Sequence, residues 1–120
     1  MVLVSGQVMF NGNTPNVKKA LLTVKLEDVS LVGMPSTVVA VQKEMVDLST
    51  DNAVVFELFP TADSPVINPR SSYSVMVHVS LHPDENPDDI MQGDYLTMQS
   101  YPVLTQGNPS NVTIEVKRVG

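Results

Sequence analysis

Apolar and polar residues alternate with a period of two along much of this chain. Tyr73, Val75, Val77, Val79 and Leu81 alternate with Ser74, Met76, His78 and Ser80. Leu22, Val24 and Leu26 alternate with Thr23, Lys25 and Glu27, and Val112, Ile114 and Val116 with Thr113, Glu115 and Lys117. Successive side chains of an extended strand point to opposite faces, so this pattern predicts half-buried strands, not helices. Further strands are expected over residues 3–10, 37–46 and 53–59, with a short one over 95–99.

Turn-forming residues separate these runs. Asn11-Gly12-Asn13-Thr14-Pro15 divides the first strand from the second, and Gly33-Met34-Pro35 follows the second. Residues 47–52 read as a hairpin loop, 60–70 as a proline-rich connection and 82–93 as the longest polar loop. Gly107-Asn108-Pro109 precedes the last strand. Only residues 87–92 suggest even one helical turn. The expected fold is all-β, an antiparallel β-sandwich of about seven to eight strands. No repeat or composition shift divides the chain, so one domain over residues 1–120 is expected.

Composition narrows the function. Aromatics make up only 5% of the chain, which leaves the core to Val, Leu, Ile and Met. A net charge of −6 argues against nucleic acid and anionic membrane surfaces, both of which call for a basic face. Without cysteine there is no disulfide, thiolate metal site or cysteine nucleophile. No apolar run reaches the roughly 18 residues of a transmembrane segment. Residues 1–9 lack the basic and long apolar regions of a signal peptide, and a signal removed earlier would leave the same sequence.

Candidate chemistry is sparse. His78 and His82 are four residues apart on a strand, about 13 Å, too far to share one metal. Both are expected on the polar face. Asp84, Glu85, Asp88, Asp89 and Asp94 could offer oxygens to calcium, but they lack the spacing of a twelve-residue calcium loop. No Gly-x-Ser-x-Gly elbow, phosphate loop or dinucleotide fingerprint occurs. A pair of carboxylates assembled in space stays open. Asn111-Val112-Thr113 is a glycosylation sequon whose use requires a secretory route. The methionines suit core filling in an aromatic-poor domain. Met76, opposite Val75 and Val77, fits that role less well and with Met98 is the candidate contact for a partner or apolar ligand.

Several strings resemble the YbaY/YscW-like lipoprotein family. They are Val4-Ser5-Gly6-Gln7-Val8, the run from Leu22 to Leu31, Phe56-Glu57-Leu58 and the run from Ile67 to Val75. Tyr101-Pro102-Val103-Leu104-Thr105-Gln106-Gly107-Asn108-Pro109-Ser110 completes the likeness, which is closer to the YbaY-like branch. The resemblance implies a β-sandwich without catalytic activity, an extracytoplasmic location and, for the YscW branch, a pilotin that guides a type III secretion secretin to the outer membrane. This chain has no lipobox cysteine.

Within these strings, Asn68-Pro69-Arg70 can turn the chain and offer Arg70 to Asp28, and Tyr101 can bond backbone at a corner of the sheet. These three residues are candidate structural positions. The leading reading is a non-enzymatic module that recognises a protein partner, by strand addition or an apolar groove. The alternative is a carrier of a small apolar ligand such as a lipid or carotenoid-type pigment. No cofactor is identified.

Overall fold

A computed structural model describes residues 2–12, 14–30, 37–49, 54–60, 66–85 and 89–120. The turn at Gly33-Met34-Pro35, Ala53, Asp88 and parts of the loops at 47–52 and 60–70 lie outside the described residues. Eight strands are found among those described: β1 Val4–Phe10, β2 Ala20–Asp28, β3 Thr37–Val46, β4 Val54–Leu58, β5 Tyr73–Ser80, β6 Tyr95–Leu96, β7 Pro102–Val103 and β8 Asn111–Arg118. The all-β class and the main strand positions read from the alternation hold.

Two corrections concern how the strands associate. β1 and β8 run parallel, from Ser5 opposite Asn111 to Phe10 opposite Val116, so the sheet is mixed and not wholly antiparallel. The strands also follow one path, β3-β2-β5-β6-β8-β1-β4, with β7 joined to β5. The terminal strands β3 and β4 approach within 8 Å between Cα atoms without a paired register. The sheet therefore curls nearly into a barrel and is not clearly a sandwich of two layers. Strand twist accumulates in one direction, and such curling brings the apolar faces together.

The inward face carries the core. Leu22, Val24 and Leu26 of β2 meet Val75, Val77 and Val79 of β5 in antiparallel register, and all six are buried. Val4, Val8, Phe56, Leu58, Ile114 and Val116 close the other side. At the junction Phe10 and Tyr95 pack edge to face, 5.0 Å between centroids, a favoured aromatic geometry.

The Val4-Ser5-Gly6-Gln7-Val8 string has a packing explanation. Gly6 lies between Phe56 of β4 and Val112 of β8. A Cβ there would collide with the Val112 carbonyl oxygen and lie 2.9 Å from the Phe56 ring. The string Tyr101 to Ser110 is likewise set by the backbone. The Thr105 amide donates to the Val103 carbonyl with Leu104 at φ 72°, a strained γ-turn. The Asn108 amide then donates to Thr105 across Gln106 and Gly107, at φ 59° and 84°. Two positive φ values in succession are what a type I′ turn demands.

We expect Gly6→Ala to lower stability by more than about 3 kcal/mol, because backbone and a core ring would both have to move. A urea midpoint within error of the wild type would contradict this packing.

Candidate partner-binding face

The polar side chains of β5 do not face open solvent. Ser74, His78 and Ser80 are buried and Met76 is half-buried. Residues 89–96, distant from β2 in sequence, bring Ile90 to the outer side of β2 and β5 and end in β6, where Leu96 pairs with His78. The expectation that His78 sits on the surface is thereby overturned.

One carboxylate fixes this segment. Asp94 is fully buried. Its Oδ1 accepts the Leu81 amide at 3.0 Å, and its Oδ2 accepts the Met91 amide and His78 Nε2, each at 3.0 Å. An ionised carboxylate only accepts, so this network assigns the proton to Nε2 of His78. Burial would raise the Asp94 pKa. The hydrogen bonds from Leu81, His78 and Met91 outweigh it and hold the carboxyl below its ordinary value. Asp94 thus closes the loop structurally, and the exposed Asp84, Glu85 and Asp89 stand apart from it. No group of three or more His, Asp or Glu residues that could hold a metal occurs among the described residues.

The segment after β6 bonds β5 piecewise. The Thr97 amide donates to the Val77 carbonyl, and Thr97 Oγ1 accepts the Val77 amide. The Val75 amide donates to Tyr101 carbonyl, and the Tyr101 amide to Ser74 Oγ. Between these contacts Met98, Gln99 and Ser100 loop outward and are exposed, which ends the strand expected over 95–99 at Leu96. Continuing the register of Leu96 opposite Lys117 would put Met98 opposite Glu115. The Tyr101 hydroxyl fills that place, accepting the Glu115 amide at 2.9 Å and donating to its carbonyl at 3.0 Å.

The other candidates fall elsewhere. Asp28 takes hydrogen bonds from the amide and hydroxyl of Ser30, which lower its pKa, and Ser30 Oγ accepts the Ser72 amide. The Arg70 amide donates to Asn68 Oδ1 within the turn from Asn68 to Ser71, and its side chain is exposed. No ion pair joins Arg70 to Asp28 among the described residues.

Met76 and Met98 do come together. The outer rows of β3, β2 and β5 read Lys43, Thr23 and His78, then Val41, Lys25 and Met76, then Val38, Glu27 and Ser74. Two grooves flank Met76. One, about 260 Å³, has Thr23, Lys25, Lys43, His78, Ile90 and Leu96 for its remaining walls. The other, about 470 Å³ and more open, runs past Glu27, Val29, Met98 and Gln99. Sequence reasoning passed over Lys25, Ile90 and Leu96. The lone Ile90 within an acidic loop was the available signal.

Residues 1–116 match the family described as the type III secretion system lipoprotein chaperone (YscW). The chain belongs to the YscW family. Its YscW-family fold is similar to the structure of an alternative pilotin from the type II secretion system of Vibrio cholerae. The TM-score is 0.77 at 24% identity, over 98% of this chain and 96% of that one. A search of the curated proteins finds no match. In this YscW-family chain, no helix among the described residues is long and apolar enough to cross a membrane.

Two measurements test the supports of this face. Tyr101→Phe removes both bonds to Glu115 and should cost about 2 kcal/mol in urea unfolding; an unchanged midpoint would show that water replaces the hydroxyl without loss. Asp94→Asn should cost about 2 kcal/mol or more at pH 7, since its amide cannot accept from both backbone donors and the histidine. The unfolded chain takes up the proton first, near pH 4. The contribution of Asp94 is therefore complete above that value and lost as pH falls through the depressed folded value. The gap between wild type and Asp94→Asn should narrow below about pH 4; a constant gap would remove Asp94 from the acid response.

Proposed function

We propose that this chain is a non-enzymatic assembly module, acting as one unit over residues 1–120, that binds a secretin subunit of a secretion system. Family membership supports a secretion-chaperone role. The fold likeness to a pilotin from a different secretion system agrees with it. The observation that supports a binding surface here is the Met76 ridge between two grooves on the outer face of β2 and β5. Methionine adapts to varied apolar shapes, which suits a chaperone surface that engages a partner and later releases it.

The decisive measurement is titration of the purified chain with the secretin subunit from its own source. The wild type should bind, and Met76→Glu should weaken binding at least about tenfold, as loss of a central apolar anchor does. Val55→Glu, at an exposed position of β4 away from these grooves, should leave binding intact. Absence of binding by the wild type, or equal binding by a folded Met76→Glu variant, would overturn the proposal.

A further inference from the structure

The described walls of the groove of about 260 Å³ carry cations in a chain of net negative charge. The chain carries 13 acidic and 7 basic side chains. Among the described residues no carboxylate lines this groove, whereas Lys25 and Lys43 both do. Lys25 is half-buried between Val41 of β3 and Met76 of β5. Among the described residues no carboxylate pairs with its ammonium and no hydrogen bond reaches it. A half-buried lysine packs its methylene stem on apolar neighbours and keeps its ammonium within reach of an incoming carboxylate. Met76, Leu96 and Ile90 supply apolar wall next to it. His78, also in the wall, already gives its Nε2 proton to Asp94.

From this juxtaposition we infer that the groove selects a protein segment in which acidic and apolar side chains are interleaved, with a carboxylate of the segment set against Lys25 and its apolar neighbours against Met76 and Leu96. This rests on the reading of the Met76 face as the partner surface and names the chemistry it takes. Elsewhere the acidic surface repels such a segment, so the local sign reversal guides it to one place.

The test uses a fluorescently labelled peptide of leucine and glutamate and its leucine–glutamine counterpart, titrated into the full chain. The glutamate peptide should bind about tenfold more tightly, and the preference should shrink as salt is raised. Lys25→Met keeps the groove apolar and should abolish the preference; Lys25→Glu should reverse it toward a leucine–lysine peptide. Because the readout is a ratio between peptides on one protein, a change in stability does not imitate it. Equal binding of the two peptides by the wild type, no binding of either, or a preference unchanged in Lys25→Met would overturn the inference. The secretin titration separates the two claims. Binding lost in Met76→Glu but retained in Lys25→Met leaves the assembly role standing and removes the acidic-segment inference. If the secretin subunit does not bind at all, the assembly role falls, and the peptide preference alone decides the inference.

Discussion

Every residue of a strand brings a backbone donor and acceptor that must be satisfied once buried. β5 and β8 present long edges to each other's side of the sheet, yet β6, which joins them, is two residues long. The remaining demand is met by backbone bonds from the Thr97 amide to Val77 and from the Val75 amide to Tyr101, and by side chains: Thr97 and Ser74 along β5, Asp94 at the entry to β6 and the Tyr101 hydroxyl along β8. These few contacts hold the two halves of the sheet in one curl. The burial of Val75, Val77, Ile114 and Val116 depends on that curl. The placement of the outer face depends on it too, since the residues that reach over β5 are those that Asp94 ties down.

The same economy shapes the outer face. A sheet with one wet side would have shown its polar residues of β5 to water. Here Asp94 takes His78, Ser100 and Tyr101 meet Ser74, and Ile90 shares a groove wall with Lys25 and Met76. A half-covered sheet has walls as well as a floor, and walls make grooves with defined chemistry. The apolar ridge and its flanking ammonium groups arise from which residues of β2 happen to face outward, a matter settled by strand register. The bulge between Leu26 and Glu27 adjusts that register at the far end.

What was legible in the sequence follows from what alternation encodes. It records which residues share a face, so the spans of β2, β3 and β5 and the buried valines could be read directly. It does not record the direction of a neighbouring strand, and the parallel pairing of β1 with β8 left no local trace. β6 was expected over 95–99 but stops at Leu96, and β7 escaped altogether, because side chains perform part of the hydrogen bonding there and a two-residue strand has no period. His78 was misread because its cover comes from residues far along the chain. Met76 and Met98 were singled out from their positions against the alternation, and they lie on one groove. Lys25 was passed over, because its place beside Met76 and Leu96 without a bonded carboxylate among the described residues exists only in three dimensions.

The outward excursion at Met98, Gln99 and Ser100 has one more meaning. Thr97 and Tyr101, on either side, carry the bonds to β5 and β8, so the three residues between them bear none of the sheet's backbone ladder. Met98 and Gln99 can change without disturbing the scaffold, whereas Ser100 is tied to it by the contact of its hydroxyl with Ser74 Oγ. Substitution at Met98 and Gln99 therefore rewrites the rim of the groove and leaves the frame unchanged.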